Sequence, residues 1–201
     1  GFSIDEFSCE GCGVCVTVCP ETAISLLDDV AGEVKLYRNP AVFATAELKM
    51  GRGNSGKLVS EVKLALTNAA RVEELAIIDG SPGIGCPVIA SMSGVDLVLI
   101  VAEPSLSGRS DLERILKTGE IFQTKTAVCV NKYDVSPENT EEIERFCAKH
   151  SVPFTGRIPY DKQASNAINA GKSVADIDCP ASRALRKVFE RTMDLLGVEV
   201  R

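Results

Sequence analysis

Four cysteines near the start of the chain constrain it more than any other feature. Cys9, Cys12, Cys15 and Cys19 follow the spacing C-x2-C-x2-C-x3-C, and Pro20 comes directly after the last of them. One short loop with this spacing can wrap all four thiolates around a single inorganic centre, and the following proline is typical of a run that holds a [4Fe-4S] cluster. The sequence therefore predicts a metal site formed by these four cysteines.

A zinc site is the main alternative for the same thiolates. Zinc usually takes two separated cysteine pairs, so the continuous run favours iron–sulfur chemistry. Gly11 and Gly13 fit a cluster, because glycine lets backbone N–H groups come close to sulfur. Unligated buried thiols are disfavoured, since thiols this close together oxidise readily.

The role of Cys19 leaves two interpretations open. In two-cluster modules the fourth cysteine of each run ligates the other cluster. Only eight residues precede Cys9, and the sequence contains no second run of this kind. Either Cys19 closes a single cluster locally, or it belongs to a second cluster whose other ligands lie on sequence not present here.

The remaining cysteines stand singly and predict a different role. The chain has eight cysteines in all, and an isolated thiol in a reducing compartment is most often a small core residue. Cys86 follows a glycine-rich loop and is also a candidate cluster ligand or redox relay. The other three, predicted as core thiols, are Cys129, Cys147 and Cys179.

Composition excludes several classes of protein. With 201 residues, 45% of them hydrophobic, the chain can bury a core as one domain or as one domain plus a small module. A formal net charge of -6 disfavours nucleic-acid binding by bulk charge. The longest strongly apolar run, residues 95–102, is far shorter than the roughly 18 residues of a membrane span. We therefore expect a cytoplasmic protein with no membrane span and no nucleic-acid partner.

The pattern along the chain predicts an α/β fold. Residues 1–40 carry the cysteines and two short β-like stretches, 23–27 and 34–37, which predict a small hairpin-bearing module. Beyond residue 40, continuous apolar runs alternate with helical periodicity, and this alternation predicts a parallel sheet covered by helices. The predicted strands are 75–78, 97–102, 126–130 and 154–158, and the predicted helices are 60–70, 107–119, 137–150 and 180–196.

Polar residues follow several of the predicted strands. Asp79 ends the first run and precedes the loop Gly80–Gly85, a position from which a carboxylate can hold a Mg²⁺ shell. Glu103 ends the second run. Asn131 ends the third, and its amide suits hydrogen bonding to the edge of a base. These residues predict a ligand site at the carboxyl edge of the sheet.

The order of these motifs resembles that of a known family. Asp79–Ile84, Glu103-Pro104, Ser107–Asp111, Asn131-Lys132 and Ile158–Asp161 are similar to the successive motifs after the P-loop in MinD/ParA-type ATPases. With the cysteine run, the chain resembles the MinD-superfamily ATPases that carry an inserted ferredoxin module. The resemblance covers essentially the whole chain.

The resemblance implies a fold, a site and cofactors. It implies a ferredoxin-like module in residues 1–40 and a P-loop NTPase-like domain in residues 41–201. It gives Asp79 the catalytic role at the Mg²⁺ shell, and it implies ATP or ADP with Mg²⁺ as ligands besides the [4Fe-4S] cluster. The nucleotide-binding residues it implies are Gly83, Asn131, Lys132, Pro159 and Asp161.

One part of the family pattern is missing. The family begins with a strand and a Gly-rich loop whose N–H groups and lysines hold the phosphates. Gly51–Lys57 obeys G-x4-G-K, but Leu58 stands where a hydroxyl should reach Mg²⁺, and no convincing strand precedes it. We expect a family-specific loop that caps a helix from Ser60 and approaches the nucleotide or the cluster. We also expect a truncated form with impaired ATPase activity, in which a partner or a rearranged sheet covers the gap.

The leading hypothesis is an iron–sulfur protein in which nucleotide binding is coupled to electron transfer or cluster handling. The expected partners are a redox protein or an apo-acceptor, a nucleotide and a second copy of the chain. A non-catalytic electron-transfer or adaptor module and a cluster-assembly scaffold are the two alternatives.

Overall fold

The computed structural model describes residues 3–5, 8–69 and 75–198. The chain divides into two compact units, residues 1–91 and residues 92–201. The assignment of residues 1–40 to a ferredoxin-like module and of residues 41–201 to a nucleotide-binding domain stays a prediction.

The first unit contains an antiparallel hairpin. Strand β1 (Gly32–Arg38) pairs with strand β2 (Val42–Leu48), and Asn39 N–H donates to the Ala41 carbonyl across the turn at 3.1 Å. Asn-Pro favours a turn here, because proline fixes φ and asparagine bonds readily to nearby backbone. Helix α2 (Ser55–Ala69) packs against both strands. Two shorter helices are α1 (Val14–Val18) and α3 (Cys86–Met92).

The prediction of a strand over residues 23–27 is wrong. This stretch has no regular structure, and Leu26 and Leu27 are exposed. The predicted stretch 34–37 does lie in β1, but its partner is β2, for which no strand was predicted. The turn at Asn39-Pro40 supplies β1 with a neighbour close in sequence, whereas no described strand pairs with residues 23–27.

The second unit is built on a parallel sheet, as predicted. Strands β3 (Leu97–Ala102), β4 (Lys125–Asn131) and β5 (Phe154–Ile158) lie in the order β3-β4-β5. Residues 127–130 of the central strand are fully buried, because helices or loops cover both faces of the sheet. The three apolar runs from 97 onward are thereby confirmed as strands.

Helices surround this sheet. The predicted helices 107–119, 137–150 and 180–196 are confirmed as α4 (Leu106–Ile121), α5 (Pro137–Lys149) and α7 (Pro180–Leu196). Helix α6 (Lys162–Asn169) is short and was not predicted. Single 3-10 turns lie at Tyr133–Val135 and Val174–Asp176. The core residues contributed by β3, β4, α4 and α5 are Ile100, Ala102, Leu112, Leu116, Val128, Val130, Ile143 and Cys147.

The prediction of a strand over residues 75–78 is also wrong. Residues 75–80 have no regular structure, and the Ile77 side chain is 74% exposed. A parallel strand needs neighbours to satisfy its N–H and C=O groups, and an apolar run alone does not supply them. Among the described strands, β3 pairs only with β4, so none pairs with residues 75–78.

Helices long and apolar enough to cross a membrane were sought in the described residues, and none was found.

Candidate functional site

The cysteine run forms a solvent-facing loop. Cys9, Cys12 and Cys15 are exposed and Cys19 is half-buried. Gly11 and Gly13 adopt left-handed backbone conformations, with φ of 63° and 76°. Gly13 directly precedes helix α1, which carries Cys15. Residues with a Cβ rarely adopt this conformation, so the two glycines let the loop turn sharply between the cysteines.

The donor set fits an iron–sulfur cluster. All four side chains are thiols, and the Ala23 N–H donates to Cys19 Sγ at 3.4 Å, the kind of contact that stabilises a ligand sulfur. In residues 3–5, 8–69 and 75–198, no three His, Cys, Asp or Glu side chains are gathered closely enough to hold a metal ion.

The glycine loop, residues 51–57, differs from the expectation in two ways. A strand does precede it, since β2 ends at Leu48, but that strand belongs to an antiparallel hairpin rather than to a parallel sheet. Helix α2 begins at Ser55 rather than at Ser60, so Gly56 and Lys57 belong to its first turn. The loop lies against the cysteine module, because Asn54 N–H donates to the Glu10 carboxylate at 3.0 Å.

Asp79 and Gly83 lie in the first unit, in a segment without a strand. Asp79 is exposed. Gly83 has φ of 88°, a conformation that glycine adopts without strain, and a Cβ there would meet nothing within 4 Å. The loop after Asp79 is therefore open, and it leads into α3 at Cys86, which is also exposed.

In the second unit, the carboxyl ends of the three parallel strands meet. Asn131 ends β4, and Lys132, with a left-handed φ of 54°, donates to Glu103 Oε1 at 2.6 Å. This hydrogen bond raises the pKa of Lys132. Asp134 Oδ1 accepts the Tyr160 N–H at 2.7 Å, which ties the loop after β5 to the loop after β4.

Both carboxylate oxygens of Asp161 accept hydrogen bonds from backbone N–H groups. Its Oδ1 accepts the Gln163 N–H at 2.8 Å and caps α6, and its Oδ2 accepts the Ala181 N–H at 3.2 Å in the first turn of α7. The backbone bond from Gln163, with that from Ala181, lowers the pKa of this carboxyl. The structure thus brings Asn131, Lys132, Pro159 and Asp161 to one edge of the sheet.

A basic cavity that was not predicted from the sequence lies beside this edge. A cavity of about 610 Å³ lies along β5 and α7, and Pro159 is the one predicted nucleotide residue among those that line it. The spacing of basic residues in α7 could have indicated it, because residues three and four apart share a helix face. Its basic lining residues are Arg157, Arg183, Arg186, Lys187 and Arg191.

Comparison with known proteins identifies the N-terminal segment. Residues 2–25, which include all four clustered cysteines, match the Fer4 family, described as a 4Fe-4S binding domain. The chain is 30% identical over 151 residues to MJ0578 of Methanocaldococcus jannaschii, covering 75% of this chain and 50% of that protein. It is 26% identical over 186 residues to MJ0547 of the same organism, named an ATP-binding protein, covering 88% of this chain and 68% of that one. The chain spans about half the length of MJ0578.

A solved structure shares the fold. The MinD cell division protein of Aquifex aeolicus superposes with a TM-score of 0.56 and 20% identity, covering 73% of this chain and 62% of that chain. Identity at this level shows the fold alone. Residues 2–25 are therefore a 4Fe-4S binding domain, and the chain has the α/β fold of MinD.

Proposed function

We propose that Cys9, Cys12, Cys15 and Cys19 bind a [4Fe-4S] cluster within a MinD/ParA-like protein that couples nucleotide binding to electron transfer or cluster handling. The observation that carries this is the complete cysteine run inside the matched 4Fe-4S binding domain. The left-handed glycines and the N–H···S bond to Cys19 support it.

The exposed position of the cysteine loop suits transfer of electrons, or of the cluster itself, to another protein. When bound, the cluster would take up or release single electrons. Three of the four thiols are exposed, so the cluster would lie near the surface of the first unit. A surface position favours a redox partner or an apo-acceptor over an internal electron relay, because either can approach the cluster directly.

For the nucleotide, we propose binding residues in two places: Asp79 and Gly83 in the first unit, and Asn131, Lys132 and Pro159 in the second. The shared fold and the ATP-binding relative support this assignment. We assign Asp161 to positioning the loop after β5, because both of its carboxylate oxygens accept backbone N–H groups. The catalytic role of Asp79 and the formation of a homodimer remain proposals.

The cluster is tested by purifying the protein without oxygen and measuring iron, acid-labile sulfide and visible absorbance. We expect about four irons and four sulfides per chain, as a [4Fe-4S] cluster requires, and loss of most iron in Cys12→Ser. Cys86→Ser is the matched control and should keep its iron. Stoichiometric zinc without iron would contradict the cluster, and retention of iron by Cys12→Ser would contradict the ligand set.

Nucleotide binding is tested by calorimetric titration of the chain with MgATP. We expect weak or no binding, because the glycine loop follows an antiparallel strand and its Asn54 N–H is held by Glu10. A longer version with a strand and a Gly-rich phosphate loop should bind clearly. Tight binding by this chain that Lys57→Ala abolishes would show instead that the glycine loop holds phosphate.

A further inference from the structure

The glycine loop contacts the cysteine loop at one specific carboxylate. Glu10 lies between the first two cysteines of the run, and its Oε2 accepts the Asn54 N–H at 3.0 Å, although the two residues are 44 positions apart. Asn54 has a left-handed φ of 66°, which asparagine tolerates better than most residues. In this conformation the Asn54 N–H donates to Glu10, and the Asn54 carbonyl accepts the Leu58 N–H in the first turn of the helix that follows.

Gly53 leaves room for this contact. A Cβ at position 53 would overlap the Glu10 carboxylate. The overlapping atoms are the end of a flexible side chain, so a larger residue would displace Glu10 rather than the backbone. Glycine at this position is thus required for the carboxylate to reach Asn54.

A second contact joins the glycine loop to the segment that follows the cysteine run. Arg52 Nε lies 3.5 Å from Asp29 Oδ2, and Asp29 follows the cysteine run in the same module. Two carboxylates of the module are therefore held by consecutive parts of one loop. The glycine loop therefore contacts two anionic groups of its own chain.

We propose that the glycine loop is an internal clamp, which holds Glu10 and thereby fixes the Cys9–Cys12 segment in the conformation that retains the cluster. The clamp rests on the cluster proposed above. Glu10 is a positioning residue that acts through the backbone of its neighbours. Replacing a group that orients a metal ligand from outside the ligand set commonly weakens metal binding about 10- to 100-fold.

The clamp is tested with Glu10→Ala, Glu10→Gln and Gly53→Ala in the anaerobically purified protein. Glu21→Ala is the matched control, because Glu21 lies two residues after Cys19 and is exposed. We expect iron release to a chelator to become about tenfold faster in Glu10→Ala and in Gly53→Ala. Glu10→Gln keeps an oxygen acceptor and should fall between wild type and Glu10→Ala, while Glu21→Ala should match wild type.

Hydrogen exchange of the Asn54 amide gives a readout that does not depend on iron. Exchange should be about tenfold faster in Glu10→Ala than in wild type and unchanged in Glu21→Ala, because the Glu10 carboxylate accepts the hydrogen bond from this amide. Unchanged exchange in Glu10→Ala would overturn the clamp. Iron in the wild type with unchanged release from Glu10→Ala and Gly53→Ala would overturn the clamp alone, whereas wild-type protein without iron would overturn the proposed function as well.

Discussion

Asp161 holds two helices at the carboxyl edge of the parallel sheet. One oxygen caps α6 through Gln163 and the other accepts from Ala181 at the start of α7. Helix starts leave N–H groups without partners inside the helix, and an ionised carboxylate is a strong acceptor for them. Asp161 therefore fixes the loop that follows β5 relative to α7.

Replacing Asp161 should change how stability depends on pH. Because backbone hydrogen bonds lower its native pKa below the ordinary 3.8, the ionised group stabilises the fold above pH 3.8, and this contribution is lost as pH falls through the native pKa. We expect Asp161→Ala to lower the free energy of unfolding at pH 7, and the difference from wild type to shrink below about pH 4. Urea unfolding at several pH values measures this.

Asp194→Ala is the control for that experiment. Asp194 is exposed in the last turn of α7, and its backbone carbonyl accepts the Gly197 N–H. The Asp194→Ala variant should be at least as stable as wild type at pH 7, because a negative charge in the last turn of a helix is unfavourable. A difference between Asp161→Ala and wild type that stays constant down to pH 2 would mean that the charge of Asp161 contributes nothing.

Single residues differ in how far sequence alone could assign them. The cysteine run was readable because ligand spacing is local and its chemistry is specific. The contact between Glu10 and Asn54 could not be predicted from the sequence, since it depends on how a loop 44 residues away packs against the cysteine loop. Lys132 was implied by resemblance, but its ion pair with Glu103 required the register of β3 and β4.

At the scale of elements, the three strands that pair in the buried parallel sheet were predicted correctly. The runs 97–102, 126–130 and 154–158 became a sheet because each has a neighbour, and helices cover it. Residues 75–78 are equally apolar, but no described strand pairs with them, and they do not form a strand. An apolar run in the sequence indicates a tendency to be buried, whereas pairing with a neighbouring strand decides whether a strand forms.

In the hairpin, a strand that the structure contains was not predicted from the sequence. Residues 42–48 were not predicted as a strand, although their antiparallel register with β1 is continuous from Gly32–Leu48 to Arg38–Val42. The sequence signal was the turn Asn39-Pro40, which joins two stretches of similar length. This hairpin places the glycine loop after a strand of an antiparallel pair, whereas the phosphate loop of P-loop NTPases follows a strand of a parallel sheet.

At the scale of the whole molecule, the eight cysteines divide into two chemical classes. Cys129, Cys147 and Cys179 are buried, as predicted, and burial raises the pKa of Cys129 and of Cys147 to about 11. At pH 8 only about one in a thousand molecules would carry a thiolate at such a position, and the thiolate is the reactive form. The clustered cysteines and Cys86, by contrast, are accessible to reagents unless a cluster holds them.

Counting alkylated thiols at pH 8 by intact mass should separate these classes. We expect only Cys86 to react in the iron-loaded native protein, five thiols after the iron is removed, and all eight after denaturation, because ligation and burial each block the thiolate. The Cys86→Ser variant is the control and should lower every count by one. Protection of Cys86 that disappears with the iron would make it a cluster ligand, and reaction of the clustered cysteines in iron-loaded protein would remove them from the ligand set.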